Sequence, residues 1–385
     1  MAGIYIHIPF CKQACYYCNF HFSTSIGLQE DMMAALVKEI DLSSHSLLKE
    51  NVEKEIIETI YFGGGTPSLP DPAYIKNLLA AIKNNYIISH DAEITMEANP
   101  DDIDKEKLSS WGAVGVNRLS IGIQSFKEKD LVWMNRAHNT IQALESISLV
   151  KQAGFDNFSV DLIYGTPGLL DEEWKVNVET VIGMNVPHLA CYALTVEPNT
   201  ALQKMIASKK KTAVDSDHQA RQFLLLIQWL KEAGYEHYEI SNFAKPGYRS
   251  RHNNSYWQGK KYIGIGPSAH SYDGKTRRWN VANNALYIQS IEYNIIPFEE
   301  EKLTDTQRLN EYIMTALRTV EGLDLKIIEE NFSLWERTRI ENEIVKYKNQ
   351  KKIIINKEKI ILTDEGKLFA DGIAADLFSI TKALH

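Results

Sequence analysis

The sequence predicts an α/β fold: a barrel-type parallel sheet of six strands, followed by a smaller winged-helix-like α+β tail. Three observations predict it. Short apolar runs alternate with amphipathic helical stretches through roughly the first 200 residues, the pattern of βαβ units. Glycine and polar residues cluster where each run ends, which is the face that carries the site in a barrel-type sheet. From about residue 300 the texture changes to helices around a short hairpin. A doubly wound sheet, with its site at a switch point, is the alternative. The first loop favours the barrel, because its cysteines follow strand one and later strand ends can all converge on them.

The elements follow in order. Gly3–Ile8 is a short apolar strand stopped by Pro9. Leu28–Leu48 is helical, with Met32, Met33, Leu36, Val37 and Ile40 on one stripe. Ile56–Phe62 is a strand ending at three glycines, and Pro72–Tyr86 a helix with proline in its first turn. Glu93–Ala98 and Arg118–Gln124 are strands. Thr140–Ala153 is a helix closed by Gly154. Phe158–Tyr164 is a strand, Leu170–Met184 a helix and Leu189–Thr195 the sixth strand. Ser216–Gly234 is strongly amphipathic, and 235–283, rich in Gly, Asn, Tyr and His, reads as irregular strands and loops. Leu303–Arg318 and Leu325–Lys348 are helical. Lys352–Asn356 and Lys359–Leu362 form a hairpin, and Thr363–Phe378 is a last helix.

The chain has 385 residues, 44% hydrophobic and 24% charged, enough to build a sizeable core. A net charge of −8 argues against broad nucleic-acid binding, and Lys209–Lys211 and Arg277–Arg278 read as solvated surface. No apolar run is long enough for a membrane span. The start MAGIYIHIPF has no basic n-region and reads as a buried strand rather than a signal peptide. Few cysteines point to a reducing cytoplasm, with any membrane association arising through partners.

Cys11, Cys15 and Cys18 carry the chemistry. Their spacing is C-x3-C-x2-C, and the chain has only one other cysteine, Cys191. Soft thiolates favour iron–sulfur clusters or zinc. Three on one loop can hold three irons of a four-iron cube and leave the fourth open to a small chelating ligand. Two rivals stand beside this reading. Positions 11, 15 and 18 also share one helix face, and zinc could take His7 or His21 as a further ligand.

Polar groups stand at the ends of the other strands. Gly63-Gly64-Gly65-Thr66-Pro67 lets the backbone approach a ligand closely. Glu97, Gln124, Arg136 and Asp161 follow at later strand ends, with an arginine suited to a carboxylate and acidic or amide groups suited to hydroxyls and cations.

The cysteine spacing resembles that of radical S-adenosylmethionine (SAM) proteins. With Tyr5-Ile6-His7-Ile8-Pro9-Phe10-Cys11, the GGGTP run, RLSIGIQSF, DLIYGTP and the tail, the whole chain resembles the oxygen-independent coproporphyrinogen III oxidase family. That resemblance implies an incomplete (βα)6 TIM-like radical SAM barrel over 1–200, a family-specific helix and strand/loop region over 201–299, and a C-terminal HemN-type winged-helix-like domain over 300–385. It implies a 4Fe-4S cluster on Cys11, Cys15 and Cys18, and SAM contacts at Tyr5, Gly64, Gly65, Thr66, Glu97, Gln124, Arg136, Asp161 and Ala193.

Within that family the sequence is similar to the HemW-type heme chaperone branch. Phe20 stands where the oxidases carry a further cysteine, and only ten residues precede Cys11 where the oxidases have a long extension. Arg251-His252-Asn253-Asn254-Ser255-Tyr256-Trp257 matches the H-N-x-x-Y-W motif associated in that branch with heme. His252 offers an imidazole to iron, Tyr256 and Trp257 offer flat surface, and Arg249 and Arg251 could meet propionates. The alternative is a buried, hydrogen-bonded histidine lining the barrel. Gly264–Ser271 is also typical of the family, but no role follows for His270. The branch implies binding of heme and its delivery to recipient hemoproteins. The enzyme alternatives are oxidative decarboxylation of coproporphyrinogen III, or opening or methylation of heme.

Overall fold

Strands β1 (Ala2–Ile8), β2 (Ile56–Gly64), β3 (Ile87–Ala98), β4 (Arg118–Gln124), β5 (Phe158–Tyr164) and β6 (His188–Ala193) lie side by side in chain order. Every neighbouring pair is parallel. No reversal of order occurs among them, so the sheet is of the barrel type and not doubly wound. These coordinates are a computed structural model that describes residues 2–47 and 56–380.

Helices fill the crossovers: α1 (Gln29–Leu47), α2 (Pro72–Asn85), α3 (Lys105–Val114), α4 (Glu128–Met134), α5 (Thr140–Gln152) and α6 (Asp171–Gly183). The expected end of the first helix, Leu48, lies outside the described residues. Local chemistry sets several starts. The Asp71 carboxylate accepts from the Ala73 N–H beside Pro72, and Asn139 and Gln142 form a reciprocal capping box. After β6 come α7 (Ala201–Ala207) and α8 (Ser216–Glu232).

The strands alternate with period two. On one face Ile4, Ile6, Ile8, Ile60, Phe62, Leu119, Ile121 and Ile123 are fully buried in a core with Met32, Leu36, Ile75 and Leu78 of the covering helices. On the other face the strands are polar: Tyr5 and His7, Thr59 and Tyr61, Glu93 and Glu97, Arg118 and Ser120, Ser159 and Asp161. Hydrogen bonds join these residues across the strands, and they line the barrel interior.

The sheet continues beyond both edges. β7 (Glu236–Glu239) and β8 (Asn242–Ala244) add antiparallel to β6. α9 (Arg251–Trp257) leads into β9 (Lys261–Ile265), which pairs parallel with β1. β10 (His270–Tyr272), β11 (Thr276–Asn280) and β12 (Phe298–Lys302) continue antiparallel, with α10 (Asn284–Glu292) between the last two. The 235–283 stretch is therefore more regular than its composition suggests, because its strands extend an existing sheet. The strand order ends at β12 on one side and β7 on the other, so the barrel is open.

A second core lies in the tail, where α11 (Asp305–Leu317) packs with Ile328, Ile340, Ile360, Ile373 and Leu377 around a small sheet of three strands, Leu323–Asp324, Lys359–Leu362 and Ile353–Asn356. Two expectations are corrected here. The long helix over 325–348 is three short ones, restarted where the Ser333 hydroxyl caps the Glu336 N–H. The last helix is also two pieces, Asp364–Lys367 and Ala370–Leu377, broken at Leu368 and Phe369.

Candidate functional site

The cysteines occupy an irregular loop between β1 and α1, not a helix face. Its ends are zipped by Ser23 N–H to Pro9 O (2.8 Å) and Cys11 N–H to Ser23 O (3.0 Å). Its middle is tied to two distant segments. Tyr16 N–H donates to Met134 O at 3.1 Å, Leu202 N–H donates to Tyr16 O at 2.7 Å, and the Asn135 amide donates to Ala14 O at 2.7 Å. Lys12 pairs with Asp101 and Asp102. The three thiols are thus presented, half-buried, at the C-terminal mouth of the barrel.

Two of the sulfurs meet side chains at the barrel mouth, Thr66 just after β2 and Arg136, which follows helix α4 and not a strand as the sequence suggests. Thr66 Oγ1 donates to Cys11 Sγ at 3.4 Å, and Arg136 Nη1 donates to Cys15 Sγ at 3.3 Å. Burial pushes the Cys11 thiol up to about 11 and raises Cys18 as well. Metal binding therefore has to displace protons. Of the two histidines the zinc reading would add, His7 has both ring nitrogens engaged and His21 has one. His7 is engaged by Tyr5 OH at Nδ1 (3.2 Å) and His21 O at Nε2 (2.8 Å), and His21 Nε2 bonds Asn284 at 2.7 Å. Among the described residues no three Cys, His, Asp or Glu stand close enough together to hold a single metal ion. Three half-buried soft thiols on one loop suit an iron–sulfur cluster by their chemistry. Cys191 lies buried on β6, its thiol pushed far up by burial.

The glycine run is shaped first by its own chain. A Cβ on Gly64, which has φ +112°, would lie 2.7 Å from His7 Nδ1. A Cβ on Gly65 would lie 2.7 Å from both N and O of Phe10. The run seats β2 on β1 and on the start of the cysteine loop, and Gly64 N–H donates to Glu97 Oε2 at 3.2 Å.

Glu97 also accepts from Tyr61 OH at 2.8 Å. Burial, with the Asp161 charge adding to it, pushes Glu97 up to about 7. Asp161 accepts weakly from Ser120 (3.3 Å) and Ser159 (3.4 Å), and burial takes it to about 6. Arg136 ties the ends of three strands together through Asn99 Oδ1 (2.8 Å), Gly122 O (2.7 Å) and Cys15, while its buried Nε has no partner. Asn99 in turn donates to Thr66 at 3.3 Å. Gln124 ends β4 with φ +69°, and Ala193 ends β6 beside Tyr164. Tyr5 sits one step below His7 on β1. The barrel mouth and the strands beneath it thus supply a guanidinium with a spare N–H, two carboxylates raised by burial, and a glycine turn. That set suits a ligand bearing both a carboxylate and a cation. Tyr61, Asn99 and Tyr17, which lies 3.4 Å from Arg136, were not among the sequence candidates. The period-two polar alternation in the strands is the signal that finds Tyr61.

The His252 motif lies elsewhere. It forms α9 at the N-terminal end of the strands, where Gly3 and Thr59 lie, at the opposite end from the thiols. His252 is buried, with Thr59 Oγ1 on Nδ1 (2.8 Å) and Tyr256 OH on Nε2 (2.9 Å). Burial, with Arg118 adding to it, takes its pKa down to about 3. Both ring nitrogens are committed in this arrangement. Trp257 lies under the Arg318 guanidinium, 5.4 Å away. Arg249 pairs with Glu236 and Glu321, and Arg251 with Asp91. His270 is exposed on β10.

Comparison with known proteins places this geometry in context. The family model for the Radical SAM superfamily matches residues 5–181, and that for the HemN C-terminal domain matches 303–369. A Mycobacterium tuberculosis protein named heme chaperone HemW is 32% identical over 380 residues, 97% of this chain and 94% of its own. A Lactococcus lactis protein of the same name is 33% identical over 366 residues, 94% of this chain and 93% of its own. The bovine mitochondrial radical S-adenosyl methionine domain-containing protein 1 is 30% identical over 392 residues, 98% of this chain and 87% of its own. The solved Escherichia coli coproporphyrinogen III oxidase (HemN), a radical SAM enzyme, superposes with a TM-score of 0.84 at 22% identity, covering 98% of this chain and 90% of that one. That likeness establishes the shared fold.

Proposed function

Because the chain belongs to the HemW family, we propose that it is a heme chaperone that binds heme and hands it to recipient hemoproteins, carrying a 4Fe-4S cluster and SAM at its barrel mouth. The observation that carries this reading is 32–33% identity over nearly the full length of proteins of that name, in a chain whose loop has Phe20 two residues after Cys18. In the oxidase pattern that position is a cysteine. Here Phe20 is 68% exposed.

Cys11, Cys15 and Cys18 would hold the cluster. Arg136, with its unpartnered Nε, would meet the SAM carboxylate. Glu97 and the Gly64–Thr66 turn would face the amino group, and Asp161, Gln124, Tyr5 and Ala193 the rest of the molecule. When bound, cluster and SAM together supply one-electron chemistry. The protein's own part is to hold charge and position. Arg136 sets a cation against the Cys15 sulfur. Tyr61 and the Gly64 N–H stabilise ionised Glu97 against the cost of burial.

Half-buried thiols of this kind need a reducing compartment. No described helix is long and apolar enough to cross a membrane, so membrane contact would come through partners. The test is one anaerobic, cluster-loaded preparation. It should bind hemin saturably and form no protoporphyrinogen from coproporphyrinogen III with SAM and reductant. Product formation without hemin binding would reverse the reading in favour of the oxidase.

A further inference from the structure

We propose that α9, the His252 helix, is the floor of the barrel, and that His252 positions Glu97 through the ring of Tyr61. The inference rests on the reading that Glu97 faces SAM.

Strand register builds the interior in layers. Gly3 pairs with Thr59, Tyr5 with Tyr61 and His7 with Gly63 between β1 and β2. Thr59 pairs with Glu93 and Tyr61 with Thr95 between β2 and β3. The lowest layer is closed by α9. The backbone N–H groups of Arg251 and His252 donate to the two oxygens of Glu93, at 3.1 and 3.0 Å. Arg118 lies 3.9 Å from the same carboxylate, with both groups buried. The helix is thus fixed by its backbone to β3. A Cβ on Gly3 would lie 2.7 Å from Thr59 Oγ1 and 3.3 Å from the His252 ring, so glycine is what lets β1 pass this close.

From that floor the imidazole reaches one layer up. Its two nitrogens are held by Thr59 of β2 and Tyr256 of α9, which fixes the ring plane. The Tyr61 ring stacks on it at 4.9 Å and 23°. Tyr5 lies 6.1 Å from Tyr61 at 22°. Tyr61 is therefore held between two flat neighbours, and its hydroxyl donates to Glu97 Oε1, 2.8 Å away. A histidine is suited to position 252 because only a flat ring with two polar edges can bond Thr59 and Tyr256 and still offer its face to Tyr61. His252 is accordingly a positioning residue, acting on the SAM side of the barrel from the opposite end.

The experiment is equilibrium dialysis of SAM against anaerobically reconstituted full-length protein, with hemin titration of the same samples. The variants are Tyr61→Phe, His252→Ala, their double and Tyr256→Phe. Tyr61→Phe and His252→Ala should each weaken SAM binding about tenfold, the size expected for a hydrogen bond to a charged group. The double variant should be no weaker than the worse single one, because both act through one contact. Iron content should be unchanged in all. If His252→Ala proves unstable, Tyr256→Phe, which removes one hydroxyl from the ring, should still weaken SAM about threefold. Unchanged SAM affinity in the His252 and Tyr256 variants, multiplicative losses in the double, or loss of hemin rather than SAM would overturn the inference. Wild-type protein that binds no SAM at all would instead remove the SAM reading on which it rests.

Discussion

The Nη1 of Arg136 lies 3.3 Å from the Sγ of Cys15, while Nη2 is held by Asn99 and the carbonyl of Gly122. One side chain thereby joins the cysteine loop to the ends of β3 and β4. Its planar fork makes this possible, and lysine has no equivalent. Arg136→Lys is expected to keep most of the iron, since three thiols remain, but to weaken SAM binding about tenfold through loss of the unpartnered Nε–H that would meet the carboxylate. Iron analysis and dialysis on one preparation decide it. Loss of iron in parallel with SAM would make Arg136 a support of the loop rather than a ligand contact.

The glycine run makes a prediction about stability. Gly65→Ala would place a methyl group on the backbone of Phe10, where neither side can yield cheaply. The expected cost is about 1–3 kcal/mol, as for overpacking a tight core. It would appear as a melting temperature lower by several degrees. Because Phe10 leads directly into Cys11, iron uptake should fall too. A variant with unchanged melting temperature would mean that the turn relaxes more freely than its contacts suggest.

Binding of SAM should depend on pH. Burial raises the Glu97 pKa to about 7 and that of Asp161 to about 6, so both gain protons as pH falls through the neutral range. The ionised carboxylate is the form that attracts a cation, so affinity should rise from pH 6 to pH 8 and level off above. Tyr5 and Tyr61, which face Glu97, are pushed well above their ordinary range and stay neutral throughout. Glu97→Gln should lower affinity and flatten the profile. A profile that remains steep in that variant would assign the titration to another group.

Much of this arrangement is legible in the sequence where the signal is local. β4 and β5 run over the residues that alternation predicts, Arg118–Gln124 and Phe158–Tyr164. Glu97, near the end of β3, can be named because a polar group closing an apolar run stands out, whereas Asp161 lies in the middle of β5 and Arg136 follows helix α4. What escapes is non-local or masked by composition. The pairing of β9 with β1 joins segments far apart in the chain, and nothing in either announces it. Helix α3 escapes because it buries little besides Leu108 and Trp111, although Asp104 caps one end and Gly115 closes the other. The placement of His252 is the clearest case. Its motif offers an imidazole and two aromatic rings in either setting, and only the fold puts that imidazole between Thr59 and Tyr256 at the barrel floor.

Replacing Cys11, Cys15 or Cys18 singly with alanine should abolish stable cluster loading, since two thiolates leave a second iron open. Cys191→Ala should leave loading intact, because that thiol is buried on β6, against the core side of the sheet. Iron and sulfide analysis after anaerobic reconstitution separates the two outcomes.

The central claim, a heme carrier built around a thiolate cluster, is tested most directly by titrating hemin into the anaerobic, reconstituted protein after counting its iron. About four irons per chain and a saturable Soret change are expected. Zinc in place of iron, or a Soret band that grows without saturation, would contradict it.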